Sequence, residues 1–434
     1  MNIAIVGAGY VGLVTGISLA NLGHKVVCID SDQSKVSMII KGISPIFEPG
    51  IKKGLKNVIR MGLFRSSTSV KEAVLESDIT IIAVGTPTVN SKIDLSQIKK
   101  ASVQIGKALA KVKKYHIVAV KSTVLPGVTE EIVKPILERY SKKRAGEFGL
   151  IMNPEFLREG SALDDALHPD RIIIGQIDEK SGREFAKIYR NVSTPVIFTN
   201  LPTAEMTKYA ANTLLATLIS YSNEIARISQ NIDKVDVLDI WKGVHLDRRL
   251  NPQISSYIFS GCGFGGSCLP KDTKALLSFT RKRGIRAQLI KSVIDINNTQ
   301  PHQVLLLLKS VLGKNLKNKK IAVLGLAFKP NTDDIRDSVA FPIIEELLSE
   351  GARVICHDPM ARLNNPSVVL GSTIKETIKN ADAVIIVTAW EHYRKLTPNF
   401  FKKHMKQPVV VDGRRIYDKH SFLNAGIIYK GIGT

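Results

Sequence analysis

Cys268 closes a glycine-rich run, GCGFGGSC, and is followed at once by LPKD. Pro270 is placed to open a helix, so the thiol falls near a helix amino end, where the positive dipole end and Lys271 favour thiolate. That is the profile of a nucleophile. Asp272, four residues on and close to one turn away, offers a carboxylate that serves as a base or orients a lysine. A flexible glycine loop carrying an inert cysteine is the alternative reading.

Other candidates carry complementary chemistry. Lys208 and Asn212 stand four apart in a helical run and share one face, offering an ammonium and an amide to a developing oxyanion, although a solvated face would look the same. NPEFLREG (153–160) places Glu155 and Glu159 four residues apart after a strand, as paired carboxylates suited to proton transfer; helix capping by Glu155 and pairing of Glu159 with Arg158 would also explain them. Gly7, Gly9 and Gly12 form GxGxxG directly after the first strand, so that helix-opening amides can approach a pyrophosphate. Asp30 closes the second strand, where a carboxylate accepts from an adenosine ribose and repels a 2′-phosphate, which favours NAD over NADP. Lys35 just beyond reads as a cofactor contact or as a solvated helix lysine. The turns VGTPT (84–88) and STVLPG (122–127) end later strands, where ligands of such sheets lie; capping of the next helix would equally account for Ser122 and Thr123.

The elements that must position these residues follow from periodicity. From 1 to about 195, Val- and Ile-rich runs at 3–6, 25–30, 79–84, 116–120, 149–152 and 171–175 alternate with helical segments, the pattern of a doubly wound parallel sheet. Between about 201 and 300 the strand signal disappears, and Met206, Tyr209, Leu214, Leu218, Tyr221, Ile225 and Ile228 make the stripe of one long amphipathic helix. Such a helix packs against a partner subunit, giving a homodimer, or between outer domains. After NLKNKK (315–320), IAVLG, RVICHD, AVIIVT and PVVVDG restore the alternation, but IAVLG is not followed by GxGxxG. The fold class is therefore α/β, with two Rossmann-like doubly wound domains joined by a long central helix and a helical middle domain. The expected boundaries are 1–198 for dinucleotide binding, 199–300 for the helical dimerisation domain and 315–434 for the second α/β domain.

Composition narrows the partners. The chain has 434 residues, 44% of them hydrophobic and 23% charged, which suits large cores and excludes disorder or low complexity. A net charge of +22 favours anionic partners, yet it is spread along the chain without a basic tail. No helix-turn-helix, RRM or basic-aromatic pattern supports nucleic acid. Cys28, Cys262, Cys268 and Cys356 are too scattered for a disulfide framework or a zinc site, so no metal is expected and a reducing cytoplasm fits. The apolar amino terminus lacks the basic region of a signal peptide, and runs such as VLLLL (304–308) fall short of a membrane span.

In combination, GAGYVG, VGTPT, STV, NPEFLREG, KYAAN, GFGGSCLPKD, GLAFKPNTDDIRDS and DGRR occur in order over essentially the whole chain, which closely resembles the UDP-glucose/GDP-mannose dehydrogenase family. The resemblance implies a double, NAD-dependent oxidation of a sugar C6 alcohol to a carboxylate, with Cys268 forming a thiohemiacetal and then a thioester. It implies that Lys208 and Asn212 stabilise oxyanions, that Asp272 helps position Lys208 and water, and that Thr123 and Glu159 assist proton transfer or hydrolysis. Cofactor contacts would come from Gly7, Gly9, Tyr10, Val11, Gly12, Asp30, Lys35, Thr86, Pro87, Thr123, Glu159, Lys271 and Arg336. The nucleotide sugar would meet Glu155, Phe156, Leu157, Lys208, Asn212, Tyr257, Phe259, Gly263, Gly265, Phe328, Lys329 and Arg414, with Arg249 reaching a substrate in the adjacent subunit. Arginine suits these tasks because its planar fork binds phosphate in two places. UDP-glucose is the favoured substrate. The residues before the GFGGSC core, including Phe259 and Cys262, depart from the FLKAG-like sequence of typical UDP-glucose enzymes, which keeps UDP-N-acetylhexosamines and GDP-mannose open. A two-electron hydroxy-acid dehydrogenase using Lys208 and Asn212 without the thiol is the competing enzyme reading.

Overall fold

Parallel strands covered by helices are buried on both faces and so read as continuous apolar runs. In the computed structural model, which describes residues 1–89, 92–363 and 365–434, the amino-terminal runs become such strands. The described chain divides into two units, Met1–Ala211 and Asn212–Thr434.

The first unit holds an eight-stranded sheet among the described residues. Edge to edge its strands are Val196–Asn200, Ile172–Gln176, Gly149–Met152, Ile117–Val120, Ile79–Ile82, Asn2–Val6, Lys25–Ile29 and Phe64–Ser67. Neighbours run parallel except Gly149–Met152 against Ile172–Gln176. The expected runs lie within two residues of six of these strands; Phe64–Ser67 and Val196–Asn200 are additional. Ile3 and Ile5 enter a core on one face with Leu13, Ile17 and Phe185, while Ala4 and Val6 enter the opposite core with Ile105, Leu137 and Phe148. Asn2–Val6 pairs with Lys25–Ile29 on one side and Ile79–Ile82 on the other, so the strand order reverses there and opens a crevice at the carboxyl ends.

The second unit begins with helices. Val237–His245, Leu269–Lys282 and Gln288–Leu312 precede a six-stranded parallel sheet ordered Val369–Leu370, Arg353–His357, Lys320–Leu324, Ala383–Ile386, Val409–Asp412 and Ile428–Gly431. Both sheets are Rossmann-like, and the region between them in sequence is helical. Among the described residues no helix is long and apolar enough to cross a membrane.

The helix Leu201–Ser229 departs from its expected burial. Its buried positions are Leu201, Ala204, Glu205, Lys208, Tyr209, Asn212, Thr213, Ala216, Ser220, Ser222, Asn223, Ala226 and Ser229, mostly small or polar. Met206, Leu214, Tyr221 and Ile228 of the apolar stripe instead stand exposed in the single chain. The stripe is therefore split: Tyr209 is buried and Leu218 and Ile225 pack against the second unit's core, while the other four positions face outward.

Candidate active site

The glycine turn is shaped by close approach. Gly7 has φ +110°, a conformation other residues rarely adopt, and a Cβ on Gly12 would sit 1.8 Å from the Gly7 carbonyl oxygen. Among the described residues nothing other than Gly9 and its chain neighbours lies within 4 Å of where a Gly9 Cβ would be, so space is open over the amino end of helix Tyr10–Asn21, whose cap residue Gly9 brings no side chain. Half-buried Asp30 accepts the N–H of Ala8 through Oδ2 at 2.9 Å and that of Asp32 through Oδ1 at 3.0 Å. An open cradle of helix-end amides beside a fixed, partly exposed carboxylate fits a dinucleotide's pyrophosphate and ribose.

The second sheet shows what closing the same turn looks like. Gly325 again follows the first strand with φ +110°, but Asp358 is buried and its Oδ2 accepts from Leu326 N–H at 2.8 Å, Ala327 N–H at 3.0 Å and the Trp390 indole at 3.1 Å. The loop amides are consumed by the protein's own carboxylate.

Around the other turns of the first unit, Thr86 Oγ1 donates to the Thr123 carbonyl at 2.8 Å, and Ser122 Oγ donates to the Val84 carbonyl at 2.7 Å. The Ser122 hydroxyl is thus turned back to its own sheet, and the amides of Gly127 and Thr129, at the start of the following helical segment, bond to Glu205. Tyr10 donates its hydroxyl to Glu48, which also accepts from Gly160 and Ala162 N–H at 2.7 Å each, tying the cofactor helix to the NPEFLREG segment. Half-buried Val11 lies beside Tyr10, Lys35 is half-buried and Pro87 exposed.

NPEFLREG is irregular rather than helical, so Glu155 caps no helix there. Glu155 Oε1 lies 3.0 Å from Lys208 Nζ, and Oε2 accepts from Leu157 N–H at 2.7 Å. Burial opposes the charged carboxylate, but Lys208, the Leu157 amide and Lys121 outweigh it and hold Glu155 below the usual carboxylate range. Phe156 stacks under Arg171, 4.0 Å away, with Lys208 beyond at 5.4 Å. Arg158 is bound by Asp165 at 2.5 Å. Half-buried Glu159 lies near enough to Tyr10 to disfavour its ionisation. Lys121 was not expected. It is buried, donates to Asn153 Oδ1 at 2.9 Å, and is pushed down to about 8 by burial, with Lys208 adding to the effect and Glu155 opposing it.

In the second unit Cys268 is the N-cap of helix Leu269–Lys282, with Pro270 in the first turn as expected. It is half-buried, whereas the other three cysteines are buried. Burial pushes Cys28 and Cys356 up to about 12 and raises Cys262. Asp272 Oδ2 accepts from Asn212 Nδ2 at 2.6 Å, and Oδ1 lies 2.8 Å from Lys271 Nζ. Asp272 thus orients an amide and a lysine one turn from the thiol.

The glycine loop before Cys268 is held by the backbone. A Cβ on Gly265 would sit 2.2 Å from the Asp337 carbonyl oxygen, and one on Gly266 would meet the Phe328 ring at 2.6 Å. Asn297 binds both the N–H and the carbonyl of Phe264, and Gln300 donates to Gly261. Arg414 donates to the carbonyls of Gly263 at 3.0 Å and Val387 at 2.6 Å, placing Gly263, Gly265, Phe328 and Arg414 in one cluster. Buried Asp412 orients that turn by accepting from the amides of Arg414, Ile416 and Tyr417. Lys329 lies over Phe328 at 5.6 Å. Cys262 belongs to packing rather than to a ligand surface: it is fully buried, and its N–H donates to Gly413. Phe259 is exposed against His245, Tyr257 is half-buried, Arg336 is ion-paired to Asp334, and exposed Arg249 is clasped by Asp247.

The family models of the UDP-glucose/GDP-mannose dehydrogenase family match in three consecutive spans: the NAD binding domain over residues 1–193, the central domain over 202–299 and the UDP binding domain over 322–419. The chain is 40% identical to the UDP-glucose 6-dehydrogenase TuaD of Bacillus subtilis, covering all of this chain and 93% of the relative. It resembles the structure of a UDP-glucose dehydrogenase from Pyrobaculum islandicum, with a TM-score of 0.91 and 37% identity over 99% of this chain and 97% of the other. A UDP-D-ManNAc dehydrogenase from Pyrococcus horikoshii is also similar, with a TM-score of 0.88 and 31% identity over 100% and 99% of the two chains.

Proposed function

Because the chain belongs to the UDP-glucose/GDP-mannose dehydrogenase family, we propose that it oxidises the C6 alcohol of UDP-glucose to the carboxylate of UDP-glucuronate through Cys268. The observation that carries this reading is the half-buried Cys268 at a helix amino end, with Asn212 and Lys271 held by Asp272 on the next turn. NAD, when bound in the glycine-turn cradle, supplies the hydride acceptor for both oxidations.

The chain's own residues divide the remaining work. The Cys268 sulfur bonds to C6 of the aldehyde, and the resulting thiohemiacetal retains a reactive intermediate on the protein until the thioester stage. Lys208 and Asn212 donate to the C6 oxygen whenever it carries negative charge. Glu159 and Thr123 assist proton transfer as water adds to the thioester, expelling the thiolate and leaving the acid. Phe328, Lys329 and Arg414, with the 259–265 loop, hold the nucleotide sugar; Arg336 serves the cofactor and Arg249 a neighbouring subunit's substrate. We assign these tasks to segments 1–198, 199–300 and 315–434.

Two further expectations belong to the same reading. The exposed Met206, Leu214, Tyr221 and Ile228, three of them seven residues apart, support a homodimer through helix Leu201–Ser229. The enzyme acts in the cytoplasm, where thiols remain reduced. The direct test offers UDP-glucose, UDP-N-acetylhexosamines and GDP-mannose with NAD and identifies the product by mass. Carboxylate formed on UDP-glucose supports the proposal; carboxylate formed only on an N-acetylhexosamine moves the substrate to that class.

A further inference from the structure

Glu205 is a buried carboxylate that the chemistry above leaves unused. It lies on helix Leu201–Ser229, three residues before Lys208, and is fully withdrawn from solvent. Oε2 accepts the N–H of Gly127 at 2.6 Å and Oε1 accepts that of Thr129 at 2.7 Å. These amides open the π-helical turn Thr129–Val133 and the helix Lys134–Ser141 beyond it, and amides in that position have no partner within their own helix. Gly127 has φ +96°, and a Cβ there would sit 2.9 Å from Glu131 Oε1, so the turn has little room to reorganise. Through the Thr86 hydroxyl on the Thr123 carbonyl, the same turn is tied to VGTPT.

We propose that Glu205 is a positioning residue: its two oxygens hold the 122–127 turn, and Thr123 with it, against the helix that presents Lys208. The proposal rests on the roles given above to Thr123 and Lys208. A carboxylate is required, because two N–H donors need two accepting oxygens; an amide at this position turns an NH2 group toward one of them. Burial pushes Glu205 up to about 7, and Glu131, on the turn that it caps, adds to the rise; the Thr129 hydroxyl and the two amides oppose it. The neighbouring strands Gly149–Met152 and Ile172–Gln176 carry no ionisable side chain, and Lys208, on its own helix, is paired with Glu155. The clamp therefore holds above about pH 7 and slackens below it, when an O–H faces one of the amides.

Hydrogen exchange and NADH fluorescence titration test this on the whole enzyme without any sugar. In the unmodified protein, protection of the Gly127 and Thr129 amides, corrected for intrinsic rates, falls between about pH 8 and about pH 6. Glu205→Gln removes that dependence, lowers protection about tenfold and weakens NADH binding, while Glu205→Asp restores part of both. With the preferred nucleotide sugar, Glu205→Gln also loses the acid limb of the kcat profile. Amide protection independent of pH, or a Glu205→Gln enzyme with unaltered NADH affinity and pH profile, would overturn the proposal. Absence of sugar oxidation by the unmodified enzyme would instead strike the functional reading and leave the amide measurement standing.

Discussion

Lys208 Nζ lies 3.0 Å from Glu155 Oε1, and both side chains are almost wholly withdrawn from solvent. Removing one partner of such a pair strands a charge. Lys208→Met is expected to cost about 3 kcal/mol of stability, because the carboxylate loses the neighbour that most favours its charge. The double variant Lys208→Met/Glu155→Leu recovers much of that loss yet stays inactive. Urea unfolding beside NADH production separates the two effects; equal stability of single and double variants contradicts the pairing.

The four thiols should react very unequally. Cys28, Cys262 and Cys356 are buried and their ionisation is suppressed, with two of them pushed up to about 12, whereas Cys268 is half-buried at a helix amino end. Brief treatment with iodoacetamide near neutral pH is expected to modify Cys268 at least about tenfold faster than the others. Peptide mass mapping reads the ratio, and comparable labelling of Cys262 would contradict it.

Gly12→Ala should strongly weaken cofactor binding. The new Cβ would be only 1.8 Å from the Gly7 oxygen, so the turn must open. NADH affinity is expected to fall by about a hundredfold, with the far-ultraviolet spectrum retained. Binding within twofold of the parent protein would show that the cradle is elsewhere.

His116 predicts an acid-sensitive window. It is fully buried with its Nε2 2.8 Å from Thr80 Oγ1, and burial pushes it down to about 4. The unfolded chain takes up this proton near pH 6.5 and the folded one only near 4, so stability is present above about 6.5 and is lost as pH falls toward 4, by about 3 kcal/mol. His116→Gln should flatten that slope in urea titrations at several pH values; an unchanged slope assigns the acid lability to other groups.

Leu214→Glu and Tyr221→Glu test the exposed stripe. Both positions are about half exposed in the single chain, so burying what remains of each contributes on the order of 1 kcal/mol, and two per subunit in both subunits of a dimer contribute several kcal/mol. Light scattering is expected to show the parent protein as a dimer and the double variant as a monomer. A parent protein that is monomeric at micromolar concentration would contradict the interface.

What was legible in the sequence followed from backbone constraints. The GxGxxG turn, the acidic residue after the second strand and the Val- and Ile-rich runs admit few arrangements, and six strands of the first sheet lie where those runs place them. Phe64–Ser67 carries one large apolar residue in FRSS, too little for a pattern, and Val196–Asn200 is an edge strand whose apolar side chains are exposed. The burial of Lys121, Glu205 and Glu48 was hidden for a different reason. A buried ion in a tight network has the same letter as a solvated one, and only the fold reveals that distant segments bring backbone amides to the two glutamates and the Asn153 oxygen to Lys121. The apolar period of helix Leu201–Ser229 was visible, but period alone does not say which surface covers the stripe.

The central claim is that one thiol carries the sugar between two oxidations. Its most direct test is the yield of NADH and the mass of the product from the unmodified enzyme and from Cys268→Ser, each supplied with UDP-glucose and excess NAD. Two NADH per sugar and a carboxylate product from the first, with no acid from the second, is the predicted result. Uronate made by Cys268→Ser at the parent rate, or a single NADH with the aldehyde as end product, would contradict it.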